Sequence, residues 1–155
     1  KLYCAPCDSH AIDTIWASVL ALAPEATKSE GAFVEINRRQ LAVRFVAEDV
    51  VWFDFDVICG AGRAAPDYIE IAKIYHTVVV TGLPNLSSAG DDSTRRFLHL
   101  VDEFYDRSVN LIVGADVSMD RLYASGRLAF EMERCCSRLL EMQSVEYLER
   151  PHRPD

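Results

Sequence analysis

An α/β fold, a parallel βαβ core with flanking helices and an attached antiparallel β-meander, is what this sequence predicts, and three stretches predict it. His76-Thr-Val-Val-Val-Thr-Gly82 is a short apolar run rich in β-branched residues and closed by Gly82 and Pro84, as a buried strand is. Over 91–107, Phe97, Val101, Phe104 and Tyr105 fall on one helical face. Asn110-Leu-Ile-Val-Gly-Ala115 is a second buried run. Strand, helix and strand with a short return loop make a βαβ unit, whose strands lie parallel and are joined by a right-handed crossover. Both runs are apolar throughout, so each face of the sheet needs a cover.

The rest of the chain is assigned around that unit. Residues 1–155 have room for one domain, because a chain of this length buries roughly 70% of its unfolded surface. Within it, 1–30 hold an N-terminal helix, 33–56 the meander and 66–147 the α/β unit. The N-terminal helix is capped by Asp8 or Ser9, carries the stripe Ile12, Ile15, Trp16, Val19 and Leu22, and ends at Pro24. Residues 25–31 read as a polar linker. The meander is three strands: 33–36, then 40–46 after the turn Asn37-Arg38-Arg39, then 50–55 after Glu48-Asp49. Val51, Phe53 and Phe55 share one face of the last strand, with Trp52 and Asp54 on the other.

Cys59-Gly-Ala-Gly-Arg-Ala-Ala65 reads as a loop rather than a nucleotide site, since Ala65 stands where GxGxxG requires its third glycine and no GK[ST] follows. A helix over 66–75 opens on Pro66 and turns Ile69, Ala72 and Ile71 or Tyr75 inward. Residues 116–126 form a loop with one helical turn at 119–123. The last long helix, 127–143, buries Leu128, Met132, Cys135, Cys136 and Leu139, and its other face reads Arg127, Glu131, Arg134, Arg138 and Glu141. That face is either a solvated, ion-paired surface or an arginine pair aimed at a phosphate or another subunit, because a guanidinium fork suits phosphate oxygens. Pro151-His-Arg-Pro-Asp155 reads as a frayed tail.

Composition removes several function classes. Twenty-four acidic residues against 16 basic ones give a formal net charge of −8, which disfavours nonspecific nucleic-acid binding. No apolar run approaches the roughly 20 residues of a membrane-spanning helix. The chain opens at Lys1 without a basic region followed by an apolar one, so no secretory leader is expected in it, and Lys1 reads as a cleavage or cloning boundary. Five cysteines, two of them adjacent, suit a reducing compartment. Cys4-Ala-Pro-Cys7 before a helix start invites a thiol-redox reading, which would need a strand leading into it and a thiol titrating well below about 8.5. Cys4, Cys7 and His10 lack the fourth ligand of a zinc site, so no metal is expected.

Phe130-Glu-Met-Glu-Arg134-Cys-Cys-Ser137-Arg138-Leu-Leu-Glu141-Met142-Gln-Ser144-Val-Glu-Tyr147 resembles the closing motif F-x-R-T-x-S-R-L-x-E-M-x-S-x-x-Y of the ZapE/Afg-one-like ATPases. Arg95-Arg-Phe97 with Leu100, Asp102 and Tyr105 is similar to that family's R-R-F-x-x-L-x-D-x-x-Y helix. Asp67-Tyr68, His76-Thr77, Leu83-Pro84, Phe53-x-Phe55 with Cys59, and Arg39 before Leu41 follow in the expected order. Cys135 departs from the pattern, which has Thr.

The resemblance implies the C-terminal portion of an AAA+ type P-loop ATPase. The complete protein would bind ATP and Mg²⁺, hydrolyse the nucleotide and act on protein partners, in cell division for bacterial members and in inner-membrane protein handling for mitochondrial ones. It implies a cytoplasmic, bacterial protein, able to form a homo-oligomer. This chain has neither GxxxxGK[ST] nor an apolar strand ending in Asp-Glu, so alone it is expected to bind no nucleotide and to be inactive. Arg134 and Arg138 are then the candidates for nucleotide-sensing or trans-acting arginines, and Arg95 and Arg96 the weaker candidates for nucleotide contact. The alternatives are a non-catalytic adaptor module and the Cys4/Cys7 redox protein.

Overall fold

The structure, a computed structural model, describes residues 2–23 and 32–155. Its elements are β1 (Tyr3–Cys4), α1 (Ser9–Leu22), β2 (Ala32–Ile36), β3 (Arg39–Val43), β4 (Phe45–Val46), β5 (Val50–Asp54), α2 (Phe55–Ile58), α3 (Ala65–Ile74), β6 (Thr77–Leu83), α4 (Leu86–Ala89), α5 (Asp91–Asp106), β7 (Asn110–Ala115), α6 (Ala129–Glu141) and α7 (Val145–Leu148), with a 3₁₀ turn at Met119–Arg121. The expected linker 25–31 and Pro24 lie outside the described residues.

A five-stranded sheet runs in the order β1-β7-β6-β5-β4, with β1, β7, β6 and β5 parallel and β4 antiparallel at the edge. The expected βαβ unit is its centre, β6–α5–β7. Alternate residues of the central strands enter two separate cores. Val51, Phe53, Val78, Val80, Leu111 and Val113 pack with α3, α5 and α6, while Trp52, Val79 and Ile112 pack with Ile15 and Val19 of α1. The sheet is therefore covered on both faces, as strands without a polar face require.

The antiparallel part differs from a single three-stranded meander. β2 and β3 form their own two-stranded sheet, and the chain then breaks at Arg44, so that β4 and β5 join the large one. Val51 and Phe53 alternate with Trp52 as expected, yet both sides are buried, because β5 lies inside the parallel sheet rather than at the rim of a meander. Phe55 does not extend the strand; it opens the short helix α2.

The β2–β3 hairpin closes through Asn37 and Arg38, both at positive φ (50° and 69°), with Ile36 paired to Arg39. Two residues in the left-handed region make the tight hairpin turn whose twist matches its strands. Asn37 Nδ2 also donates to Asp67 Oδ1 (3.0 Å), and Asp67 Oδ2 accepts from Ala64 N (3.0 Å). Buried Asp67 thus caps α3 and holds the hairpin against it.

Three smaller readings are corrected. Leu22 is 56% exposed, because the apolar stripe of α1 continues through Leu20 and Ala23, as a helix of 3.6 residues per turn drifts off a seven-residue repeat. In α3 the inward side is Tyr68, Ile71 and Ala72 rather than Ile69, since the Tyr68 hydroxyl reaches Ile58 O (2.9 Å). The tail is held rather than frayed: Arg153 N donates to Arg107 O (2.9 Å), Arg107 donates to Pro154 O (2.9 Å), and His152 stacks on His76 at 5.1 Å.

Two measurements check this account. Arg38→Gly removes the left-handed cost of a β-bearing residue, roughly 1–2 kcal/mol, against an added unfolded-state entropy of about 0.5–1 kcal/mol. Urea unfolding of that variant should show a net gain of about 0.5–1 kcal/mol. Burial and His152 push the His76 imidazole below its ordinary value, with Asp49 opposing. The folded state therefore binds fewer protons there than the unfolded one, and its contribution to stability is lost as pH falls below about 6.5. His76→Gln should flatten that slope in unfolding midpoints measured between pH 7 and 5.

Candidate functional site

The motif residues at the chain's end divide into those that close the fold and one that does not. Tyr147 is fully buried, and its hydroxyl donates to Val109 O (2.7 Å) and lies 3.2 Å from Phe104 O. Ser144 caps α7 by accepting from Tyr147 N (3.2 Å), and Met142 is buried in the core. Arg138 pairs with Asp102 of α5 and lies over the Tyr105 ring at 4.7 Å. Tyr105 stacks on Tyr147 at 5.9 Å, Arg150 lies over the Tyr147 ring at 5.2 Å, and Glu141 accepts from Tyr105 (2.7 Å) and pairs with Arg150 (3.3 Å). This cluster of rings and ion pairs ties α5, α6 and α7 together.

None of the ion pairs along α6 lies within that helix. Arg138 reaches across to Asp102, Arg127 to Asp91 (3.7 Å) and Glu141 to Arg150. Arg134 is exposed and has no ion pair or hydrogen bond among the described residues, and the same holds for Arg95. The two face one groove of about 220 Å³ between α5 and α6, together with His99 and the carboxylates of Asp102 and Glu131. Asp102 is already taken by Arg138, so the groove holds two guanidinium groups with N–H donors to spare, beside His99 and Glu131. Such a place suits an anionic oxygen group, which a guanidinium fork binds in two parallel hydrogen bonds.

The expected arginines thus separate. Arg95 and Arg134 come together, although they sit on different helices. Arg138 borders them but is held by Asp102. Arg96, next to Arg95 in sequence, points the other way and donates to Cys59 O (3.4 Å) in the loop before α3. His99 was not singled out from sequence; one turn after Arg95 on the same helix face, its spacing could have shown it.

The described residues carry no Gly-rich phosphate cradle at the head of a helix. The strand leading into α5 ends Thr81-Gly82-Leu83-Pro84, and α5 opens on Asp91 and Asp92, carboxylates where a phosphate would need the helix's positive end to itself. Among the described residues no three His, Cys, Asp or Glu side chains are grouped to hold a metal. Ligands of doubly wound sheets sit at the carboxyl ends of neighbouring strands whose helices leave to opposite faces, here β1 and β7. That place is packed: Cys7 Sγ lies where a Cβ on Gly114 would be, against the Thr81 methyl.

The redox reading gains its strand, since β1 runs into Cys4-Ala-Pro-Cys7. Its thiol goes the wrong way. Burial, then Cys4, Asp116 and Asp8, push Cys7 upward, the opposite of an activated thiolate. Burial likewise pushes Cys59 up to about 12 and raises Cys135 further, so these are structural thiols.

A mostly parallel α/β sheet, closed by the motif residues and bearing a groove with two unpaired arginines, is in class an ATPase-family domain. The family can be stated directly: the profile of the AFG1-like ATPases matches residues 1–151, and the chain belongs to that family. It is 40% identical over 141 residues to the cell division protein ZapE of Escherichia coli (strain K12), a match covering 91% of this chain and 36% of that protein. An uncharacterized protein of Schizosaccharomyces pombe is 28% identical over 160 residues, covering 85% of this chain and 35% of its own length. Lactation elevated protein 1 homolog B of Danio rerio is 31% identical over 101 residues, 65% of this chain and 20% of that protein. The chain therefore spans about a third or less of these relatives' lengths. No solved structure matches it, and no helix among the described residues is long and apolar enough to cross a membrane.

The division of the arginines has a measurable consequence. Arg138→Ala leaves Asp102 half-buried without its partner and uncovers Tyr105, and should cost about 1–3 kcal/mol in urea unfolding. Arg134→Ala, exposed and unpaired, should stay within about 0.5 kcal/mol of the parent.

Proposed function

We propose that this chain is the arginine-presenting C-terminal part of an AFG1-like ATPase, whose complete protein binds ATP and Mg²⁺, hydrolyses the nucleotide and acts on protein partners. By its likeness to ZapE, the setting is bacterial cell division in the cytoplasm, and the complete protein forms homo-oligomers. One observation carries the reading: Arg134 and Arg95, from two different helices, line one groove and neither is in an ion pair among the described residues, although Glu131 lies nearby. Unpaired guanidinium groups beside an open groove are what charge developing on a transferred phosphoryl group requires. In this reading Arg134, with Arg95 beside it, reaches the phosphates of a nucleotide held elsewhere in the complete protein or by a neighbouring subunit. Arg138 positions Arg134's helix through Asp102, and Arg96 takes no part in nucleotide contact.

The test uses the complete protein. Arg134→Ala should lower ATP turnover at least about tenfold while leaving thermal unfolding unchanged. Arg96→Ala should leave turnover close to the parent's. Unchanged turnover in Arg134→Ala, with partner binding lost instead, would replace this reading by the adaptor module.

A further inference from the structure

A second groove lies on the opposite flank of α6. The 3₁₀ turn Met119–Arg121 and α6 enclose about 620 Å³, within the size range of protein binding clefts. Its walls are mostly apolar, with Met119, Met132, Cys136 and Leu140 prominent, and the ionised side chains lining it are both acids, Asp120 and Glu133. Leu140 is 63% exposed and Phe130, on the same helix, 81% exposed.

The wall opposite α6 is built in place. Leu122 is fully buried and its carbonyl accepts from Leu86 N (2.8 Å). The Tyr123 hydroxyl accepts from Leu128 N (3.1 Å) and fills the space where a side chain on Gly126 would stand. The groove therefore exists without a ligand, and its methionines can adjust to the shape of what enters.

We propose that this groove docks an amphipathic helix of a partner protein, apolar where it meets Met119, Met132 and Leu140, and carrying Lys or Arg opposite Asp120 and Glu133. The charge decides the partner. Two carboxylates and no lining cation, on a chain of net charge −8, attract a basic segment and repel an acidic one. For the same reason a second copy of this chain is a poor occupant, since it would bring acids against acids. The shape decides the conformation. One wall is α6 and the other the 3₁₀ turn with Tyr123 and Ala124, so neither is a strand whose edge could pair with an extended peptide. From Ala129 to Leu140 the wall runs about 16 Å, three helical turns, which suits anchors at i, i+3 or i+4, and i+7.

The test exploits the three methionines: Met119 and Met132 line the groove, and Met142 is buried in the core at 1% exposure. The chain is labelled at its methionine methyl carbons and titrated with a synthetic helix of about 14 residues, leucine on one face and lysine on the other. Saturable shifts of Met119 and Met132, with Met142 unmoved, are expected. Replacing the peptide's lysines by glutamates should weaken binding about tenfold or more, and so should the exposed charge reversals Asp120→Lys and Glu133→Lys together. The proposal is overturned if Met119 and Met132 do not shift, if all three methionines move alike, or if charge reversal leaves the affinity unchanged. A dimer seen in sedimentation that Leu140→Asp dissolves would overturn it too, by assigning the groove to a second copy.

Discussion

Strand β6 has no exposed face, and the need to cover both sides of it places most of the molecule. Val78 and Val80 enter one core and Val79 the other. Parallel neighbours on both edges require crossovers, and α3 and α5, packed side by side, supply them on the Val78/Val80 side. Among the described residues, α1 is the helix that covers the other face. One helix is a narrow cover for a five-stranded sheet, and aromatic side chains widen it: the Trp16 ring lies 4.5 Å from that of Trp52, tilted by 51°, and meets Phe45 edge-on at 5.7 Å. Within that layer the buried Trp52 indole N–H donates to Thr81 Oγ1 (2.9 Å). At the one irregular point of the β6–β7 ladder, between Val80 and Leu83, Gly82 takes φ of 77°, and the chain turns out of the sheet toward α4.

The cationic groove follows from how α5 and α6 are joined. Asp102 can satisfy one guanidinium fully, and Arg138 takes it because its ring contact with Tyr105 holds it there. Arg95 and Arg134 are left with Glu131 nearby but unbonded, and their mutual repulsion is tolerated because both reach water. Glu131 lines the same groove, yet neither arginine closes an ion pair with it.

How much of this was legible beforehand varies with the physics involved. Strands β6 and β7 and helix α5 were legible because their apolar patterns are short, dense and bounded by turn residues. The split of the meander was not, since alternation along a strand fixes its faces but not its partners; β5 pairs with β6, more than twenty residues on, a contact local patterning does not encode. The tail was misread because Pro and charged residues look solvent-loving, while the contacts that hold it, to Arg107 and His76, come from distant elements. At the candidate site, the motif pointed to α5 and α6 but mixed two kinds of residue. Arg134 and Arg138 look alike in sequence, one turn apart, and only the position of Asp102 on a different helix separates a structural ion pair from a free cation.

Two grooves of opposite character on one short helix raise the question of whether they can act apart. Arg134 faces α5, while Glu133 and Leu140 face the 3₁₀ turn, so the two sets are separated by the width of α6. A helix with its side chains is about 10–12 Å across, and at physiological ionic strength exposed charges are screened over about 8 Å. The acids of one groove therefore do little to neutralise the arginines of the other through solvent. What the grooves share is mechanical: both lie against α6, and the core residues Leu128, Cys135 and Leu139 fix that helix on the sheet. A ligand on either flank meets a surface already set by the packing of β6 and β7, which is why a chain this acidic can still offer a cationic groove.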